Sequence, residues 1–196
     1  MFRHALRGII VGAAGTVALN VATYADMAIR GRPSSNAPAK MIGTVANNLG
    51  LTTQEQEAQD QNIQNRESGM GALSGYVVGL GIGALYGLLN PLVKHIPASL
   101  AGPLVGAAAM ATSDVPLVKL QISNPKEWGL SGWAADAIPH LIYGIVTVRT
   151  YQALTVESRA YARSRKLALI PPNLRPWIAQ NGRKSDAKIP AFASRR

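Results

Sequence analysis

The chain has 196 residues, 47% of them hydrophobic, with 19 glycines and only 15% charged residues, which leaves room for one compact unit rather than several domains. It has no cysteine, and this excludes disulfides, thiolate metal sites, iron–sulfur clusters and cysteine nucleophiles together. The net charge of +10 is concentrated late in the chain, where from Arg149 onward eleven Lys and Arg face only Glu157 and Asp186.

The mean hydropathy of +0.08 averages two unlike materials, apolar blocks on one hand and a polar insertion with a basic tail on the other. The apolar blocks decide the class. The first, within MFRHALRGIIVGAAGTVALNVATYADMAI, has arginines before an apolar run and small residues at Thr23 and Ala25, as a signal peptide would. The run continues to Ile29, long enough to span, so residues 8–29 are expected to form a first transmembrane helix rather than a cleaved leader. Gly8, Gly12, Thr16 and Asn20 recur every four residues and make a face that a second helix can approach closely.

Residues 31–71 read as a polar insertion. GRPSSNAP ends the first helix, Pro38 suits the first turn of a short one, and Met41, Val45 and Leu49 share a face before Gly50 stops it. Thr52 with Glu55 forms a capping-box pattern ahead of a helix that is polar nearly all round. Such length suits a lid or a docking surface.

The second span is expected at about 72–90, with Gly71, Gly75, Gly79, Gly83 and Gly87 at unbroken four-residue spacing. In water these glycines would weaken a helix, whereas in a bilayer such a glycine zipper offers a groove to a neighbouring backbone. No Walker lysine follows GLGIGALYG, which disfavours a phosphate loop. The third span, about 98–118, continues the small-residue theme with Gly102 and Gly106, carries Pro103 and Pro116, and has Asp114 near its end.

The fourth, about 130–151, lies in WGLSGWAADAIPHLIYGIVTVRTY, where Asp136 and His140 are four residues apart and so share a face with Gly132 and Gly144. Trp128 and Trp133 suit an interfacial position. The helix is expected to run on through QALTVESRAYARSRK, leaving residues 152–196 as a basic cytoplasmic tail with Trp177 as its one large apolar anchor.

With four spans both termini share a side, and counting Lys and Arg gives fourteen on that side against six on the other. The positive-inside rule then makes both termini cytoplasmic. Asp26, Asp114 and Asp136 fall at one level in the outer half, with His140 about 6 Å deeper. Pro139 frees the Ala135 carbonyl beside them.

Carboxylates this close repel unless Arg30, Lys119, a proton or a cation intervenes, so the cluster is either a proton or cation site or a structural network tying three helices together. The ligand spacing matches no recognised metal signature, and no resident metal or cofactor is expected. Ser113 beside Asp114 lacks any nucleophile-elbow or helical-protease pattern. His4 and His95 lie at the opposite end from His140, which disfavours a bis-histidine haem and leaves only single-histidine pigment ligation.

Three stretches, AAGTVALNVATYADMAIRGRPSS at 13–35, SGMGALSGYVVGLGIGALYGLL at 68–89 and NPKEWGLSGWAADAIPHLIYG at 124–144, resemble small bacterial four-helix membrane proteins, distantly the YagU-like inner-membrane proteins. The third, with Trp133, Asp136, Pro139, His140, Tyr143 and Gly144, is the most specific. The resemblance spans most of residues 8–151 and implies a multi-pass inner-membrane fold, without an activity to carry over.

The expectation is therefore an all-α, four-helix transmembrane bundle of residues 1–151. It is read as a non-enzymatic accessory subunit of a larger membrane assembly, with a small proton- or cation-coupled transporter as the rival and a pigment- or lipid-binding protein as a third reading. Its expected partners are membrane lipids, other membrane subunits or further copies of itself, and anionic headgroups or an acidic protein at the tail. Nucleic acid is disfavoured.

Overall fold

The computed structural model describes the backbone of residues 1–168 and the side chains of residues 1–56 and 59–156. Every element in it is helical: α1 (Phe2–Arg30), α2 (Ala37–Asn48), α3 (Gln54–Gln59), α4 (Gln61–Val93), α5 (Ala98–Lys119), a single 3-10 turn (Pro125–Glu127) and α6 (Gly129–Ala168). Compact packing divides the chain into Met1–Ala153, where all contacts described below occur, and Leu154–Arg196. The basic tail beyond residue 168, Trp177 included, lies outside the described residues.

Three helices, α1, α4 and α5, are long and apolar enough to cross a membrane, which makes this a membrane protein. The expected fourth span, residues 130–151, is not among them. Asp136, His140 and Arg149, with Ser131 and Thr147, dilute the apolar character of that part of α6.

Several boundaries differ from the sequence reading, each for a local reason. α1 begins at Phe2 rather than residue 8, because nothing in FRHALR breaks a helix. The capping box is one residue later than expected: the Gln56 amide donates to Thr53 Oγ1 (3.3 Å), and the Thr53 amide donates to Gln56 Oε1 (3.0 Å). Thr52 donates instead to Asn47 Oδ1 (2.7 Å), closing the turn after α2. The polar helix stops after six residues at Asp60, whose carboxylate accepts from the Asn62 amide and starts α4. No breaker stands between Gln61 and Pro91, so the polar run and the second expected span form one 33-residue helix.

α6 occupies the centre of the first unit. It runs antiparallel to α1, since Thr147 donates to the Val11 carbonyl and Arg30 reaches Ser131. It runs parallel to α4, since Tyr143 and Tyr151 donate to the carbonyls of Gly79 and Gly87, a constant offset of 64 residues. Against α5 it is again antiparallel, with Gly102 facing Ile145 and Gly106 facing His140. Tyr143, Thr147, Val148 and Tyr151 are 1% exposed or less.

Close approach explains why glycine stands at the crossings. A Cβ on Gly83 would lie 2.5 Å from Gly12 Cα, and one on Gly106 would lie 2.5 Å from the His140 carbonyl, so neither backbone pair could approach with a side chain present. α2 packs across the N-terminal part of α4, where a Cβ on Gly71 would meet the Ala39 nitrogen at 2.8 Å.

Candidate functional site

A cavity of about 260 Å³ opens inside the first unit, and all four long helices contribute to its wall. Asn20 comes from α1, Tyr76 from α4, Ser113 and Asp114 from α5, and Asp136, His140 and Tyr143 from α6. Ser35, Ala37 and Pro38 close it from the insertion. They can do so because Pro38 begins α2 at the point where Gly71 lets the two backbones touch.

His140 is fixed by its own helix. Its Nδ1 lies 2.8 Å from the Asp136 carbonyl oxygen and 3.2 Å from Asp136 Oδ1. A carbonyl can only accept, so Nδ1 carries a hydrogen, and Nε2, on the other side of the ring, is the nitrogen left to take up or release a proton. The Asp114 carboxyl stands within hydrogen-bonding reach of the Asp136 carboxyl. Asp136 Oδ2 is buried with no donor in contact.

Two carboxyls that both only accept cannot satisfy each other unless one carries a proton or a cation lies between them. Among the described residues, no Lys or Arg lines the cavity, Arg30 and Lys119 included. The site therefore presents acidic oxygens, one imidazole nitrogen and neutral hydroxyl and amide groups. That chemistry suits a shared proton or a small cation and repels anions.

Asp26 is not part of this wall. It pairs with Arg30 (2.6 Å) and with Arg32, and Arg30 Nη1 donates to Ser131 Oγ (2.6 Å). Of the four residues expected to cluster, Asp114, Asp136 and His140 come together, while Asp26 instead ties the end of α1 to the start of α6. Asp26 was expected at the same depth, but it is held by Arg30, one helical turn on, and by Arg32, which the left-handed turn at Gly31 brings back. Among the described residues, no three His, Cys, Asp or Glu side chains converge as a metal-binding group.

The five regularly spaced glycines of α4 differ in their surroundings. Cβ atoms on Gly83 and Gly87 would strike α1 backbone, one on Gly79 would strike the Thr16 hydroxyl, and one on Gly71 would strike α2. Gly75 has nothing within 4 Å and borders the cavity.

Sequence reasoning missed the hydroxyl ladder of α6. Tyr143 donates to Gly79 at 2.6 Å, Thr147 to Val11 at 3.5 Å and Tyr151 to Gly87 at 3.4 Å, while His4 Nδ1 lies 2.9 Å from the Tyr151 hydroxyl. The signal was present, since residues 143, 147 and 151 continue at four-residue intervals close to the Asp136–His140 stripe.

Comparison with protein-family models, curated proteins and solved structures gives no match.

Proposed function

We propose that the protein is a non-enzymatic accessory subunit of a larger membrane assembly, crossing a bacterial inner membrane four times, with α6 as the fourth span and both termini cytoplasmic. The observation that carries this reading lies outside the spans. Val45, Leu49 and Leu51 are 42%, 68% and 72% exposed at the end of α2 and just beyond it, in the insertion between the first two spans. An apolar patch on a polar insertion is the kind of surface that a partner covers.

Mass spectrometry of the gently solubilised complex tests the proposal. Wild type is expected to retain partner subunits, and Leu49→Glu with Leu51→Glu to release them. A wild-type protein that runs as a single copy with nothing bound overturns it. Removing residues 152–196 separately asks whether the tail also docks, and an unchanged assembly on native electrophoresis would exclude the tail.

The cavity favours a second reading, a small proton- or cation-coupled transporter. Asp114, Asp136 and His140 would exchange the ion, and α2 would cover the entrance. Flux in proteoliposomes decides it: ion-dependent uptake lost in Asp136→Asn supports it, and no uptake by folded wild-type protein sinks it.

A further inference from the structure

A second cavity, about 180 Å³, lies between α4 and α5 on the flank of the bundle. Its α4 wall is Ile82, Leu85, Tyr86, Leu89 and Val93, a stripe at helical spacing, and small residues of α5 such as Ala101 and Ala108 leave the space open. Leu85, Leu89 and Leu104 are 50%, 42% and 60% exposed, so the groove opens sideways.

Its dimensions identify an occupant. From Ile82 to Val93 the groove follows α4 for about 16 Å, close to the depth of one leaflet in a hydrocarbon core of about 30 Å. It ends at the turn between the two helices, where Ile96 still lines it and exposed Lys94 and His95 stand directly beside it. Among the described residues, no carboxylate pairs with Lys94. A leaflet-deep apolar slot with an uncompensated cation at its mouth matches an acyl chain under an anionic headgroup.

We infer that the α4–α5 groove is a binding site for an anionic phospholipid, with one acyl chain along Leu85, Leu89 and Val93 and the headgroup at Lys94. The site is independent of the polar cavity, because the two share no lining residue.

Native mass spectrometry of the full chain, titrated with phosphatidylglycerol or phosphatidylcholine of identical acyl chains, tests the inference. Wild type is expected to retain phosphatidylglycerol preferentially. Lys94→Gln should reduce that preference about five-fold, the effect of one cation near a headgroup. Ala108→Phe adds a ring at an exposed position and fills the slot without entering the core, and it should lower retention of both lipids. Equal retention of the two lipids by wild type overturns the anionic assignment. Unchanged retention in Ala108→Phe, or a concentration-dependent dimer abolished by that substitution, overturns the groove as a lipid site.

Discussion

The hydroxyl of Tyr143, 1% exposed, donates to the carbonyl of Gly79 at 2.6 Å and thereby fixes the depth of α6 against α4. At the same level the missing side chain of Gly79 makes room for Thr16 of α1, so three helices meet there. In a setting where lipid offers no competing donor, such a bond contributes about 0.5–1.5 kcal/mol. Tyr143→Phe should therefore lower the unfolding free energy by about that amount, measured by denaturant titration in detergent. Tyr151→Phe should cost a comparable amount, since it removes both the 3.4 Å bond to Gly87 and the 2.9 Å contact with His4 Nδ1.

The glycines of α4 separate packing from pattern. Gly83→Ala places a methyl group 2.5 Å from Gly12 Cα and must push α1 and α4 apart, with an expected loss of about 2 kcal/mol or more. Gly81→Ala meets nothing within 4 Å, so it should leave stability unchanged or raise it slightly through better helix propensity. Equal loss at both positions would mean that the α1–α4 contact does not depend on close backbone approach.

Gly8, Gly12 and Gly83, all within the four-residue spacing of the sequence, stand at the α1–α4 approach, where a Cβ would meet the facing backbone, whereas Gly75 of the same series meets nothing within 4 Å. Composition also pointed to three of the blocks as helices long and apolar enough to cross a membrane. The pairing of Asp26 was not legible. Asp26 was expected at the depth of the cavity, but Arg30 and Arg32 hold it elsewhere, and Arg32 reaches it only because Gly31 adopts a left-handed turn with φ 63°. The cavity's closure by Ser35 and Pro38 was equally hidden, since it depends on where a loop returns rather than on any periodicity.

The absence of cysteine makes the topology directly testable by single-cysteine labelling. Gln56→Cys in α3 and Lys126→Cys before α6 should react with an impermeant maleimide from one side of the membrane. Ser99→Cys in the first turn of α5 should react only from the other. Gln152→Cys should follow Ser99→Cys if α6 crosses, and Lys126→Cys if it does not. This last comparison decides whether a helix rich in polar residues passes through the bilayer by lying at the centre of the other three.

The two carboxyls in the cavity yield a prediction that distinguishes repulsion from ligand holding. Asp114→Asn removes one negative charge and supplies an amide that can donate to the orphaned Asp136 Oδ2, at almost no change in volume. With nothing but side chains in the cavity, the variant should be as stable as wild type at neutral pH or more stable by about 1 kcal/mol. Asp114→Ala leaves Oδ2 without a donor and enlarges the cavity, so it should fall below Asp114→Asn. If Asp114→Asn is instead the less stable protein, and added monovalent cation raises the wild-type midpoint but not that of the variant, the carboxyl pair holds a cation. His140→Gln then becomes the informative partner. Losing the imidazole should abolish proton exchange with the pair while leaving cation stabilisation intact, because His140 Nδ1 is committed to Asp136 and only Nε2 is free to relay a proton.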